Sequence, residues 1–152
     1  MIDNELIAQP ESVVLEQDAC LQEGRIDYAR WTKTVFLPLS LVGDGKVFVV
    51  EDAAAFTEHL KALEVRSQEI GVFSLRTTIG KVTRSNSGIV LIRSVRARLA
   101  KDGAEIGKSS ITWTLIMDGD RWKISQISFD DALLDPSVTS QVFLGRQNKG
   151  RR

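Results

Sequence analysis

After Gly71 the chain reads as strands almost without interruption: "VFSLRTTIGKVTR", "IVLIRSVRARLA", "KSSITWTLI" and "RWKISQISF", joined by "SNSG", "KDGAEIG" and "MDGD". Each join holds glycine with Asp, Asn or Ser between β-branched runs, the chemistry of tight turns. The runs therefore predict four long antiparallel strands in a meander. Such a sheet must bury one face, and most of the apolar material available to cover it precedes Gly71. Gly80, inside the first run, marks a bend or bulge, because glycine otherwise weakens a strand.

The preceding half supplies helices. Val13, Val14, Cys20 and Leu21 follow a 3.6-residue period from Pro10, a residue suited to a first helical turn, and Gly24 supplies a stop. Asp27 is placed to cap a shorter helix, "YARWTK", with Tyr28 and Trp31 on one face, so that two helices meet at "EGRID". "TVFLPLSLV" and "KVFVV" bracket "GDG" as a hairpin, and Pro38 makes the first of these strands an edge or a bulged one. "EDAAAFTEHLKALEV" returns to helical spacing, with Glu51 or Asp52 at its start and Ala53, Phe56, Leu60 and Leu63 on one stripe. Segregated helices and an antiparallel sheet give an α+β fold, with the helices on one face.

At 152 residues the chain fits one domain with a real core. That domain is expected over residues 1–135, with 136–152 as a mobile tail whose end, "GRQNKGRR", is basic. Lys plus Arg and Asp plus Glu are both 20, which gives no global electrostatic case for nucleic acid or an anionic membrane. "MIDNELIAQP" lacks the basic and apolar regions of a secretory signal, and no apolar run has the length of a membrane span. Cys20 and His59 are the single cysteine and histidine, so neither an internal disulfide nor a cysteine metal cluster can form. The expectation is a cytoplasmic protein with no metal and no cofactor.

The element order, with "LQEGRIDYARW" near the start and "WTLIMDGDRWKISQISFDD" near the end, resembles the nuclear transport factor 2 superfamily. The likeness is to its SnoaL-like, cystatin-type α+β members and covers residues 10–132. It implies a cone, in which a strongly curved sheet wraps a long helix around an interior pocket, and dimers formed through the convex side of the sheet. The superfamily includes ketosteroid isomerases, dehydratases, polyketide cyclases, dioxygenase small subunits and non-catalytic domains, so the fold alone does not choose a chemistry.

Alternation along the strands nominates the pocket face. Trp113, Leu115, Trp122 and Ile124 share a side, and that side continues through Gln126, Ser128 and Asp130. Ile127, Phe129 and Asp131 fall opposite. On the second long strand Ile89, Leu91, Arg93, Val95, Ala97 and Leu99 form one row, with Val90, Ile92, Arg96 and Arg98 on the other. Arg93 is then a lone cation in an apolar row and needs an acceptor, a ligand or a subunit contact; Asp130 is its candidate partner. The expected cavity combines Arg93 and Asp130 with Tyr28, Trp31, Trp113 and Gln126, aromatic walls with a few converging polar groups.

His59, at the border of its helix's apolar stripe, is a candidate general base in the cone. In the isomerases an acidic base works with an acidic or phenolic donor. Tyr28 fits the donor role loosely, and "TVFLPLSLV" contains no acid to act as base. Val90, Ile92, Ile116, Ile127 and Phe129, mixed with Thr112, Thr114 and Arg96, are the expected convex surface for a homodimer. The reading is thus a small-molecule-binding or assembly domain with an apolar pocket. The alternative is a SnoaL-like lyase, isomerase or cyclase acting on a small apolar carbonyl substrate through Asp130, His59 or Tyr28, and whether the chain is an enzyme is left open.

Overall fold

A computed structural model describes residues 9–130. Helix α1 (Pro10–Cys20) begins with Pro10 in its first turn, where a missing N–H costs nothing. It runs into a small hairpin of β1 (Leu21–Gln22) and β2 (Arg25–Ile26), turned by Glu23 and Gly24 at φ 53° and 74°. Two successive positive φ values make the tight turn whose twist matches paired strands. The expected junction of two helices at "EGRID" is therefore a hairpin, and Gly24 is needed for its turn as well as for ending the helical run.

Helix α2 (Tyr28–Thr32) follows, its N-terminus capped by the Asp27 carboxylate accepting from Arg30 N at 3.1 Å. Strands β3 (Val35–Gly43) and β4 (Lys46–Val50) form the expected hairpin. Helix α3 (Ala53–Ile70) is capped by Asp52, which accepts from Ala55 N at 2.9 Å, and ends at Gly71. Phe56 and Leu60 bury the helix's apolar stripe and Leu63 is half-buried, while Ala53 stays exposed.

The meander is β5 (Ser74–Arg84), β6 (Val90–Leu99), β7 (Glu105–Asp118) and β8 (Arg121–Phe129). The eight strands form one curled sheet in the order β2-β1-β5-β6-β7-β8-β3-β4, antiparallel except where β3 runs parallel to β8. Pro38 thus lies in an inner strand, and the β3–β8 register breaks between Val35 and Ser40, around the residue that cannot donate to a ladder. Gly80 is the bulge of β5, where the register with β6 shifts between Ile79 and Lys81. A Cβ there would stand 3.2 Å from the Arg93 carbonyl oxygen, which explains the missing side chain.

α1 packs on β5 and β8, and α2 lies against α1 and α3. The core between helices and sheet includes Val14, Leu21, Leu39, Phe56, Leu60, Ile92, Trp113, Leu115 and Ile124. This is an α+β fold with the helices on the concave face. No helix among the described residues is long and apolar enough to cross a membrane. The basic stretch 145–152 and Asp131 lie outside the described residues.

Candidate functional site

The pairings of the long strands decide what faces the cone. Ile92 pairs with Trp113, and Trp113 with Ile127, so all three share the inner face. Inner residues of β6 are then Val90, Ile92, Ser94, Arg96 and Arg98, all buried, while Leu91, Arg93 and Val95 are exposed. In β8 one extra residue, Ser125, falls between the pairs Leu115–Ile124 and Thr114–Gln126. This bulge reverses the alternation: Ile124 and Ile127 both face inward, and Gln126, Ser128 and Asp130 face outward.

Arg93, Gln126 and Asp130, expected in the cone, are therefore on its outer face. Arg93 pairs with Thr112, and the Thr112 hydroxyl donates to the Asp130 carboxylate at 2.6 Å. The three share a side as alternation predicted, but it is the other side. Val90, Ile92, Arg96, Ile127 and Phe129, expected on the convex surface, lie inside. Thr112, Thr114 and Ile116 do lie on the outer face, where they are joined by Leu91 and Val95, 41% and 39% exposed, and by Val49 at its β4 edge.

Inside, the concave sheet and α3 line an open cavity of about 90 Å³. Its walls are Trp31 of α2, Leu39 and Leu41 of β3, Phe56, His59, Leu60 and Leu63 of α3, and Ile111, Trp113, Ile127 and Phe129 of the last strands. Its polar lining is Gln17, His59, Ser67, Arg96, Arg98 and Ser109, with no Asp or Glu among the described residues. Trp31, Trp113 and His59 are thus brought together. His59 is buried and stacks on Phe56, with ring centroids 6.1 Å apart.

Tyr28 is half-buried and is not part of this lining. Its hydroxyl donates to Glu64, whose other oxygen accepts from Ile26 N at 2.7 Å. The hydrogen bond to that carboxylate holds the phenol above its usual range. Cys20 is buried and donates its thiol to the Glu16 carbonyl at 3.3 Å; burial, then the negative charge of Glu16, push the thiol up to about 12. A thiol so protonated is a poor nucleophile.

Arg96 is the polar centre of the fold. Its Nε donates to Thr77 Oγ1 at 2.9 Å, Nη1 to Gln17 Oε1 at 3.2 Å and Nη2 to the Val14 carbonyl at 3.4 Å, and Nη2 lies 3.2 Å from Asp18 Oδ1. Asp18 also accepts from the Thr77 backbone N–H and hydroxyl, both at 2.7 Å. The guanidinium carbon sits 4.8 Å from the centroid of the Trp113 ring, whose Nε1 donates to Ser94 Oγ at 2.7 Å. Burial lowers the Arg96 pKa, and the Asp18 carboxylate opposes that shift. Gln17 Nε2 in turn donates to Thr34 Oγ1 at 3.0 Å, linking α1 to the end of α2.

Two residues farther along β6, Arg98 presents a second guanidinium to the cavity and donates through Nη1 to Ser109 Oγ at 3.0 Å. Burial and then the like charge of Arg96 lower its pKa to about 10, so it remains a cation at neutral pH. Sequence reasoning missed Arg96, Arg98, Gln17 and Ser109. The available signal was the i, i+2 spacing of the two arginines in "RAR", but their partners come from α1, β5 and β7, distant in the chain.

Solved structures share the fold. An NTF-2 like protein of unknown function from Shewanella oneidensis MR-1 is similar at 14% identity and TM-score 0.63, covering 84% of this chain and 98% of that one. A protein of unknown function with a cystatin-like fold from Nostoc punctiforme gives 9% identity and TM-score 0.60, covering 84% and 90%. A ketosteroid isomerase-like protein from Erwinia carotovora atroseptica gives 15% identity and TM-score 0.57, covering 82% and 95%. No curated protein sequence matches the chain. The pattern of the family described as NTF2-like protein (DUF6841) matches residues 19–132, from the end of α1 past β8, and with that match the chain belongs to this NTF2-like family.

Proposed function

We propose that the domain binds a small, largely apolar molecule in the cone and acts as a homodimer joined through the outer face of its sheet. The observation that carries the first part is the cavity lining: Trp31, Trp113 and leucines around a few polar groups, the usual make-up of small-molecule sites. The dimer is supported by Leu91, Val95 and Val49, exposed among threonines on one continuous sheet surface. We take the compartment to be the cytoplasm, on the strength of the single, buried Cys20.

A second reading, acid-base chemistry on a small carbonyl compound as in a SnoaL-like lyase, isomerase or cyclase, is favoured by the buried position of His59 on the cavity wall. His59 would move the proton, and the buried guanidiniums would stabilise developing negative charge. Of the other two candidates, Tyr28 is engaged by Glu64 and Asp130 lies outside, so the catalytic set is incomplete.

Native mass spectrometry of freshly purified protein tests the binding reading, and the expected result is a co-purifying organic molecule released on denaturation. Finding none, and no saturable binding from a library of small apolar compounds, would refute it. Light scattering on a sizing column is expected to return twice the 16.9 kDa chain mass.

A further inference from the structure

The polar groups of the cavity wall differ in how far the protein itself engages them. Arg96 is held by Asp18, Gln17 and Thr77, and the Gln17 amide N–H is given to Thr34. Arg98 donates to Ser109 Oγ, and the negative charge of Glu105 also acts on it. Ser67 of α3 is in a different position. It is 4% exposed and lines the cavity, and its hydroxyl has no hydrogen-bond partner among the described residues. A serine or threonine in a helix can turn its hydroxyl back onto the carbonyl four residues earlier, as Thr32 does with the Tyr28 carbonyl at 2.7 Å. Ser67 makes no such bond to Leu63, and what it offers the cavity is a free hydroxyl.

Resting on the binding reading above, we infer that the occupant is an uncharged apolar molecule bearing one oxygen, an alcohol or a ketone, and that this oxygen pairs with the Ser67 hydroxyl. A serine hydroxyl donates to a carbonyl oxygen, and it either donates to or accepts from another hydroxyl. A hydrocarbon in the same place would strip water from Ser67 and return no hydrogen bond, a cost that a suitably placed oxygen avoids. An anion would leave water for walls that are mostly apolar, and both guanidiniums in those walls already have partners within the protein. Leu63, one turn before Ser67 on the same face of α3, supplies apolar contact beside the oxygen. The rest of the molecule lies against Trp31, Trp113 and Leu60.

The test uses four probes that share a phenyl ring and a branched head of three heavy atoms: 1-phenylethanol, acetophenone, benzoate and the hydrocarbon cumene. Each is titrated into the wild type and Ser67→Ala at pH 7, by calorimetry and tryptophan fluorescence. The variant is expected to lose about tenfold in affinity for the alcohol, the ketone or both, and to bind cumene within twofold of the wild type. Comparing the two proteins probe by probe removes the differing solubility of the probes from the result. Ser67→Ala is expected to melt no lower than the wild type, since it deletes an unpaired hydroxyl from a helix. A loss confined to the alcohol assigns a hydroxyl ligand, and one confined to the ketone assigns a carbonyl. Unchanged affinity for both oxygenated probes, or an equal loss for cumene, overturns the role of Ser67. Tighter binding of benzoate than of acetophenone by the wild type, or a co-purifying acid or hydrocarbon, overturns the uncharged, oxygenated assignment while leaving a small-molecule site. Binding of no probe, together with no co-purifying molecule, overturns the binding reading itself.

Discussion

The guanidinium of Arg96 lies over the indole of Trp113, its carbon 4.8 Å from the ring centroid, while the Trp113 N–H is held by Ser94. A stacked cation of this kind is attracted to the aromatic face most strongly where water is excluded. Arg96 thereby joins the concave sheet to α1 through Gln17 and Asp18, and it orients a tryptophan of the cavity wall.

Removing the carboxylate that answers Arg96 should be costly. Asp18→Ala leaves a buried charge without its ion pair and leaves the Thr77 N–H and hydroxyl without their acceptor. The expected loss is about 3 kcal/mol in urea unfolding, near the lower end for a broken buried pair because Asp18 is partly solvated. Asp18→Asn, which keeps an acceptor, should lose less. A loss under about 1 kcal/mol for the alanine variant would contradict the central role given to this pair.

Cys20 predicts how stability changes in alkali. Its folded pKa, about 12, lies above the ordinary thiol value of 9.0, so the folded state keeps a proton that the unfolded state releases. The stability it contributes is full below pH 9 and is lost as pH rises toward 12. Relative to Cys20→Ala, the wild type should lose about 1 to 2 kcal/mol between pH 8 and pH 10.5, a slope of about 1.4 kcal/mol per pH unit once the unfolded thiol has ionised. Parallel denaturation curves with a constant separation across that range would rule this out.

Tyr28 separates a structural role from a catalytic one. Tyr28→Phe deletes the bond to Glu64, while Glu64 keeps the Ile26 N–H. Stability should fall by about 1 kcal/mol, the usual worth of such a bond at a half-buried site. Binding of a small apolar molecule in the cavity should stay within twofold. A large loss of binding with little change in melting would return Tyr28 to the site.

The N-cap of α3 gives a local check on the wall that carries Phe56 and His59. Asp52→Ala removes the side-chain acceptor for Ala55 N and should cost about 1 kcal/mol. Amide exchange should rise first in the opening turn of the helix.

The outer sheet face is tested by a charge. Leu91→Asp places a carboxylate on the outer row of β6 that also carries the exposed Arg93 and Val95, within the proposed interface. Light scattering should show dimer changing to monomer at micromolar concentration, with the far-ultraviolet spectrum retained. A wild type that is already monomeric removes the interface.

What the sequence determined by itself was the order and kind of the long elements. Strong local signals specify them: Pro10 and Asp52 at helix starts, Gly71 at a helix end, glycine turns between β-branched runs, and Gly80 as a bulge. It also placed Trp113 and Ile124 on one face, because the turn at Gly119 keeps register over that short span. Tertiary structure decided which face of β6 is inside. The row from Leu91 to Leu99 is apolar but for Arg93, yet the row with Arg96 and Arg98 is the one buried, because Asp18, Gln17 and Thr77 arrive from α1 and β5 to meet Arg96. It also decided the fate of Asp130, since one extra residue at Ser125 reverses every side chain beyond it. Local pattern cannot encode either choice: a bulge is set by the partner strand, and a buried charge by groups distant in the chain.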